Sequence, residues 1–158
     1  MKVEFELNGE VKEFDVDSGE ILLDLLRDEG CKSVKRGCET GDCGACMVLV
    51  DGRAMTSCTL FAAQADGKEV RTVEGLEDEL AEQLKESLLE AGAVQCGFCI
   101  PGVLISAYSL LSRNEEPTKG EIKAALDGNL CRCTGYVKQI EAIKETADSI
   151  GGSSNGQK

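Results

Sequence analysis

The stretch GCETGDCGACMVLVDG, residues 37–52, places three cysteines at Cys38, Cys43 and Cys46, passes at once into the apolar run Met47 to Val50, and closes on Asp51-Gly52. Gly37, Gly41 and Gly44 punctuate the cysteine loop, where residues without a side chain let the backbone curl tightly and bring amide N–H groups close to sulfur. The turn pair after the apolar run predicts a hairpin, and Arg53 to Cys58 supplies its return strand, so that Cys58 comes back toward the loop. Glu69 to Val73 adds a further strand. Toward the N-terminus, Val3, Phe5 and Leu7 alternate with Glu4 and Glu6, Asn8-Gly9 forms a tight-turn pair, and Phe14 and Val16 resume the alternation, which is a second hairpin. Asp17 and Glu20 fit a capping box, and Leu22, Leu25 and Leu26 recur at helical spacing until Gly30. Residues 1–76 therefore read as a small mixed sheet with one helix.

The period changes after residue 77. Leu80, Leu84 and Leu88 mark one helix; Pro101 opens a second, with Leu104, Ala107, Tyr108 and Leu111 on one face. Thr118 and Glu121 make a capping box for a third, which carries Ile122, Ala125 and Leu126, and Val137, Ile140, Ile143, Ala147 and Ile150 mark a fourth. Four short helices with brief links over residues 77–150 imply an up-down bundle, and the whole chain is of the α+β class. The tail GGSSNGQK, residues 151–158, has the composition of a disordered segment.

Composition narrows the chemistry. The 158 residues carry a formal charge of −12 and no basic patch stands out, which argues against nucleic-acid binding and against an anionic membrane surface. Histidine is absent, so histidine-centred acid–base catalysis and histidine-ligated metals are excluded together. Nine cysteines are the conspicuous excess. The first ten residues, MKVEFELNGE, lack the apolar core of a secretory leader, so the expected location is the cytoplasm, where cysteines serve metals more readily than disulfides. Ala91 to Ser112 runs for 22 residues without a charge, but Pro101-Gly102 and several polar residues interrupt it, and a loop followed by a buried helix is expected rather than a membrane span.

Two cysteine groups emerge. Cys38-x4-Cys43-x2-Cys46, with Cys58 following after eleven intervening residues, matches the plant-type spacing for a [2Fe–2S] cluster. The second group is Cys96-x2-Cys99 with Cys131-x-Cys133. Its two pairs lie in alternate helix connections, which an up-down bundle brings to one end. Helices begin just after both pairs, so two positive helix ends would face an anionic cluster and ease its reduction. Zinc is the competing reading for either group, although the x4 and x1 gaps fit zinc ribbons poorly. A redox dithiol at Cys43-Gly-Ala-Cys46 or Cys96-Gly-Phe-Cys99 lacks the strand-to-helix setting it needs. Cys31 stands apart as a small buried hydrophobe.

Together GCETGDCGACMVLVDG, QCGFCIPG (95–102) and GNLCRCTGY (128–136) resemble the two-cluster [2Fe–2S] subunit of the xanthine oxidase family of molybdenum hydroxylases, over roughly residues 1–150. The resemblance implies a β-grasp ferredoxin-like domain over residues 1–76, whose Cys38, Cys43, Cys46 and Cys58 hold the distal cluster. It further implies a four-helix domain over residues 77–150, whose Cys96, Cys99, Cys131 and Cys133 hold the proximal one. Gln95 would approach the molybdopterin cofactor of a large partner subunit, with FAD usually on another. Ile100 and Met47 stand where this family usually has Thr, and each adjoins a ligand.

The resemblance also implies a role. Substrate chemistry falls to a molybdenum centre on another chain, and electrons leave through the proximal and then the distal cluster. AVQCGFC and DGKEVRTVEGL lean toward a xanthine (purine) dehydrogenase. Carbon monoxide, aldehyde and nicotinate-type dehydrogenases are alternatives, as is a free ferredoxin-type shuttle, which would not need residues 77–150.

Overall fold

In the computed structural model, which describes residues 1–154, two strands and a tight turn open the chain. Strands β1 (Lys2–Leu7) and β2 (Glu10–Asp15) pair antiparallel, with Val3 opposite Phe14 and Leu7 opposite Glu10. Asn8 and Gly9 both take positive φ, 52° and 87°, the conformation a two-residue hairpin turn of this hand requires. Strand β3 (Met47–Val50) pairs with β4 (Arg53–Thr56) through Asp51 and Gly52, which repeat the same device at 48° and 75°. Strand β5 (Glu69–Arg71) enters between the hairpins, parallel to β1 and antiparallel to β3, giving the order β2-β1-β5-β3-β4.

Helix α1 (Leu22–Asp28) lays Leu22, Leu23, Leu25 and Leu26 on the core side, and the chain leaves it at Gly30, φ 91°. The Glu20 carboxylate accepts from the Asp17 N–H, as a capping box asks, but the helix starts beyond both residues, after Ile21. Phe5 stacks on Phe14 at the centre of this core. Cys31 is buried in it beside Val34, as its isolation in sequence suggested.

Four helices follow: α2 (Glu79–Glu90), α3 (Ile100–Leu111), α4 (Lys119–Ala125) and α5 (Val137–Ser154). Asp78 caps α2 by accepting from the Ala81 N–H, and Thr118 with Glu121 form the complete capping box on α4. Helix α2 packs on α3 and α5, and α4 on α3 and α5, so the four enclose Leu84, Leu88, Val103, Leu104, Ile122 and Ile143. Each such side chain contributes about 1.5–3 kcal/mol of burial. On α5 the buried face differs from the apolar pattern: Val137 is exposed, whereas Gln139, Ala142 and Thr146 are buried with Ile143 and Ala147. The helix continues through Gly151 to Ser154, a segment expected to be disordered, and residues 155–158 lie outside the described residues.

A third apolar cluster, Leu49, Leu76, Ala81 and Ile105, joins sheet to helices, with α3 lying against β3 and β4. Its neighbour Ser109 accepts from the Ala54 N–H and donates to the Gly52 carbonyl, so a side chain on α3 satisfies the open edge of β4. No helix among the described residues is long and apolar enough to cross a membrane.

Candidate metal centres

The loop between α1 and β3 carries Cys38, Cys43 and Cys46, and the 3-10 turn after β4 returns Cys58 to it. The four thiols lie within reach of one another: Cys38 and Cys46 both act on Cys43, and Cys46 and, more weakly, Cys38 act on Cys58. Backbone N–H groups point at the sulfurs, those of Thr40 and Cys43 each 3.4 Å from Cys38 Sγ. Donors from Thr40 and then Cys43 lower the Cys38 thiol to about 6. Burial, reinforced by Cys46, pushes the Cys58 thiol up to about 11. Gly37 is required by space, since a Cβ there would stand 2.6 Å from Cys43 Sγ. Gly41 and Gly44 hold positive φ, 85° and 71°.

The second group assembles at one end of the helices. Cys96 and Cys99 lie in the link from α2 to α3, with Cys99 capping α3, and Cys131 and Cys133 in the link from α4 to α5. Cys96 and Cys133 sulfurs are 3.7 Å apart, and Cys131 acts on Cys99 and, more weakly, on both of them. The first pair is exposed; in the second, Cys99 is buried and Cys131 half-buried. Burial acts first on Cys131 and would raise it, but the Thr134 hydroxyl, 3.1 Å from its sulfur, and backbone N–H groups outweigh this and bring the thiol down to about 7. Burial pushes Cys99 up to about 11, with Cys131 adding to it and the Gln139 side chain opposing. Gln95 is exposed beside Cys96 and makes no side-chain hydrogen bond among the described residues.

The two loops touch. The Leu130 N–H donates to the Cys43 carbonyl at 2.9 Å, and Lys35 Nζ reaches the Gly97 and Phe98 carbonyls at 3.2 and 3.3 Å while lying over the Phe98 ring. Gly44 and Gly102 permit this approach, since a Cβ on Gly102 would stand 2.1 Å from the Gly44 carbonyl oxygen. Lys35, Thr40, Thr134, Tyr136 and Gln139 thus serve the sites without having been singled out by motif. Two quoted strings contain some of them: Thr40 sits inside GCETGDCGACMVLVDG, and Thr134 and Tyr136 inside GNLCRCTGY, where the Tyr136 hydroxyl accepts from the Cys131 N–H.

Among the described residues no three His, Cys, Asp or Glu side chains gather closely enough for a single metal ion. Each set of four thiols is instead spread over one loop cluster, and a binuclear cluster would take two thiolates on each of its irons. The donor set, the inward N–H groups and the glycine-lined contact at Cys43 fit such a cluster.

Two family models match, one to each half: the 2Fe-2S iron-sulfur cluster binding domain over residues 5–81 and the [2Fe-2S] binding domain over residues 72–144. The chain is similar to the nicotinate dehydrogenase small FeS subunit of Eubacterium barkeri, 46% identical over 144 residues that cover 90% of this chain and 92% of that one. It is 46% identical over 89% of its length, and 91% of the relative's, to the xanthine dehydrogenase iron-sulfur-binding subunit of Escherichia coli O157:H7. The solved quinoline 2-oxidoreductase of Pseudomonas putida 86 superposes with a TM-score of 0.89 at 39% identity, covering 99% of this chain and 98% of the other. The protein belongs to the small [2Fe–2S] subunits of the molybdenum hydroxylases, a family of oxidoreductases.

Proposed function

We propose that Cys38, Cys43, Cys46 and Cys58 ligate one [2Fe–2S] cluster and Cys96, Cys99, Cys131 and Cys133 a second, and that the chain is the electron relay of its holoenzyme. The observation that carries this reading is the gathering of each set of thiols in one loop cluster with donors aimed at the sulfurs, Cys96 and Cys133 lying 3.7 Å apart and Cys38, Cys99 and Cys131 each receiving an N–H or hydroxyl. A bound [2Fe–2S] cluster supplies a one-electron carrier, and two in series lead from a molybdopterin centre on a large partner subunit toward a flavin or other acceptor. The sheet half, residues 1–76, acts in this reading as a β-grasp ferredoxin-type domain and residues 77–150 as a four-helix domain. Inward N–H groups offset cluster charge on a chain already at −12. The exposed Cys96 and Cys133, with Gln95 beside them, form the face that the molybdopterin subunit covers, and a flavin subunit takes the electrons from the other site.

The strings AVQCGFC and DGKEVRTVEGL support a xanthine-type holoenzyme. The equal similarity to a nicotinate enzyme's subunit keeps a nicotinate-type substrate as the second reading, because no residue here performs substrate chemistry. A free shuttle would have no use for residues 77–150.

Iron and acid-labile sulfide analysis with low-temperature EPR after reduction tests the assignment. Two irons and two sulfides per cluster and two separable [2Fe–2S] signals are expected; a single signal, or zinc in place of iron, refutes the second site.

A further inference from the structure

Gln139 lies in the first turn of α5 and is fully buried, on a helix face that also buries Ala142, Ile143, Thr146 and Ala147. Its Nε2 stands 3.4 Å from Cys99 Sγ, while its Oε1 has no hydrogen-bond partner among the described residues. An unpaired buried carbonyl oxygen is a standing cost, and an apolar side chain would avoid it. What the amide supplies that an apolar group does not is the N–H aimed at sulfur. Of the side chains at this quartet, Thr134 donates to half-buried Cys131, whereas Gln139 donates to Cys99 from within the core. Sulfur bound to iron gains negative charge when the cluster takes an electron, and a donor in low dielectric responds to that change more strongly than one facing water.

We propose that Gln139 is a redox-positioning residue: its buried amide N–H, donated to Cys99, favours the reduced state of the cluster held by Cys96, Cys99, Cys131 and Cys133 and leaves the other cluster alone. This rests on the ligand assignment proposed above.

EPR-monitored redox titration of the full chain, loaded with both clusters, tests it in the parent, in Gln139→Leu and in Gln139→Met. The signal belonging to the second quartet is identified as the one lost or altered in Cys131→Ser. In both Gln139 variants iron and sulfide contents are expected to stay at the parent level and the other cluster's midpoint to stay put. The second quartet's reduced-to-oxidised ratio at fixed potential should fall about tenfold, a shift of ~59 mV to lower potential for a one-electron couple. The thermal midpoint should hold or rise, since an unpaired acceptor has gone. An unchanged potential in a loaded variant overturns the proposal, as does a parallel shift of both signals, which would mark a general loosening. Failure of both variants to take up the second cluster overturns it too, because Gln139 would then be structural. A parent protein without a second signal overturns the ligand assignment instead, and the proposal with it.

Discussion

Glu74 joins the loop after α1 to the end of β5: its carboxylate accepts from the N–H and hydroxyl of Ser33 and from the hydroxyl of Thr72. Burial pushes this carboxyl up, but the Ser33 and Thr72 donors outweigh it and hold the group below the ordinary glutamate value of 4.5. A depressed value in the fold means that ionised Glu74 stabilises the protein above pH 4.5, and that this stabilisation disappears as pH falls through the folded value. Glu74→Gln should therefore lower the thermal midpoint at pH 7 by roughly 2–4 °C, the effect of about 1 kcal/mol after solvent screening in a chain of this size. As pH falls below 4.5 and through the lower folded value, the parent and the variant should converge. Thermal melts at a series of pH values check this, and a difference that persists unchanged into acid would contradict it. Thr72 shows the limit of local reading, since it is fully buried and its N–H donates to Asn8 Oδ1 at 2.8 Å, a contact across 64 residues that no nearby pattern announces.

At the scale of elements, what the sequence makes legible is what is decided locally. Asn8-Gly9 and Asp51-Gly52 fix their hairpins because the turn conformation is written into the two residues themselves. Thr118 with Glu121 fixes the start of α4 for the same reason. Helix α3 is different, because it is buried on two sides, by the other helices and by β3 and β4, and its apolar run alone does not say which side faces which partner. The α5 stripe misleads in the same way: Val137 has the spacing of a core residue and is exposed, while Gln139 looks like a surface residue and is buried against Cys99. The close crossing of α3 over the first cysteine loop depends on Gly102. Gly102→Ala should destabilise the protein by about 1–3 kcal/mol in urea unfolding, because the added methyl meets the Gly44 backbone rather than a movable side chain. An unaltered unfolding midpoint would mean that the two halves do not meet there as closely as the structure places them.

For the whole molecule, the spacing of the cysteines sorts eight of the nine into two groups and sets Cys31 aside; the fold places the first group on the loop before β3 and the turn after β4, the second on the links before α3 and α5, and Cys31 in the core of the sheet half. The spacing does not disclose how closely the groups adjoin. That contact is made by the Cys43 carbonyl with the Leu130 N–H, by Lys35 with the Gly97 and Phe98 carbonyls, and by the apolar seam of Leu49, Leu76, Ala81 and Ile105. These are long-range contacts between segments with separate periodicities, so neither segment carries a record of the other. In the proposed assignment the two clusters would adjoin through backbone and yet be held by separate ligand sets. The most direct measurement is low-temperature EPR of the reduced full chain in paired single variants, Cys43→Ser and Cys131→Ser. Each variant is expected to lose or alter one [2Fe–2S] signal, a different one in each, and to retain the other unchanged; loss of the same signal in both, or of both signals in either, would contradict two independent quartets.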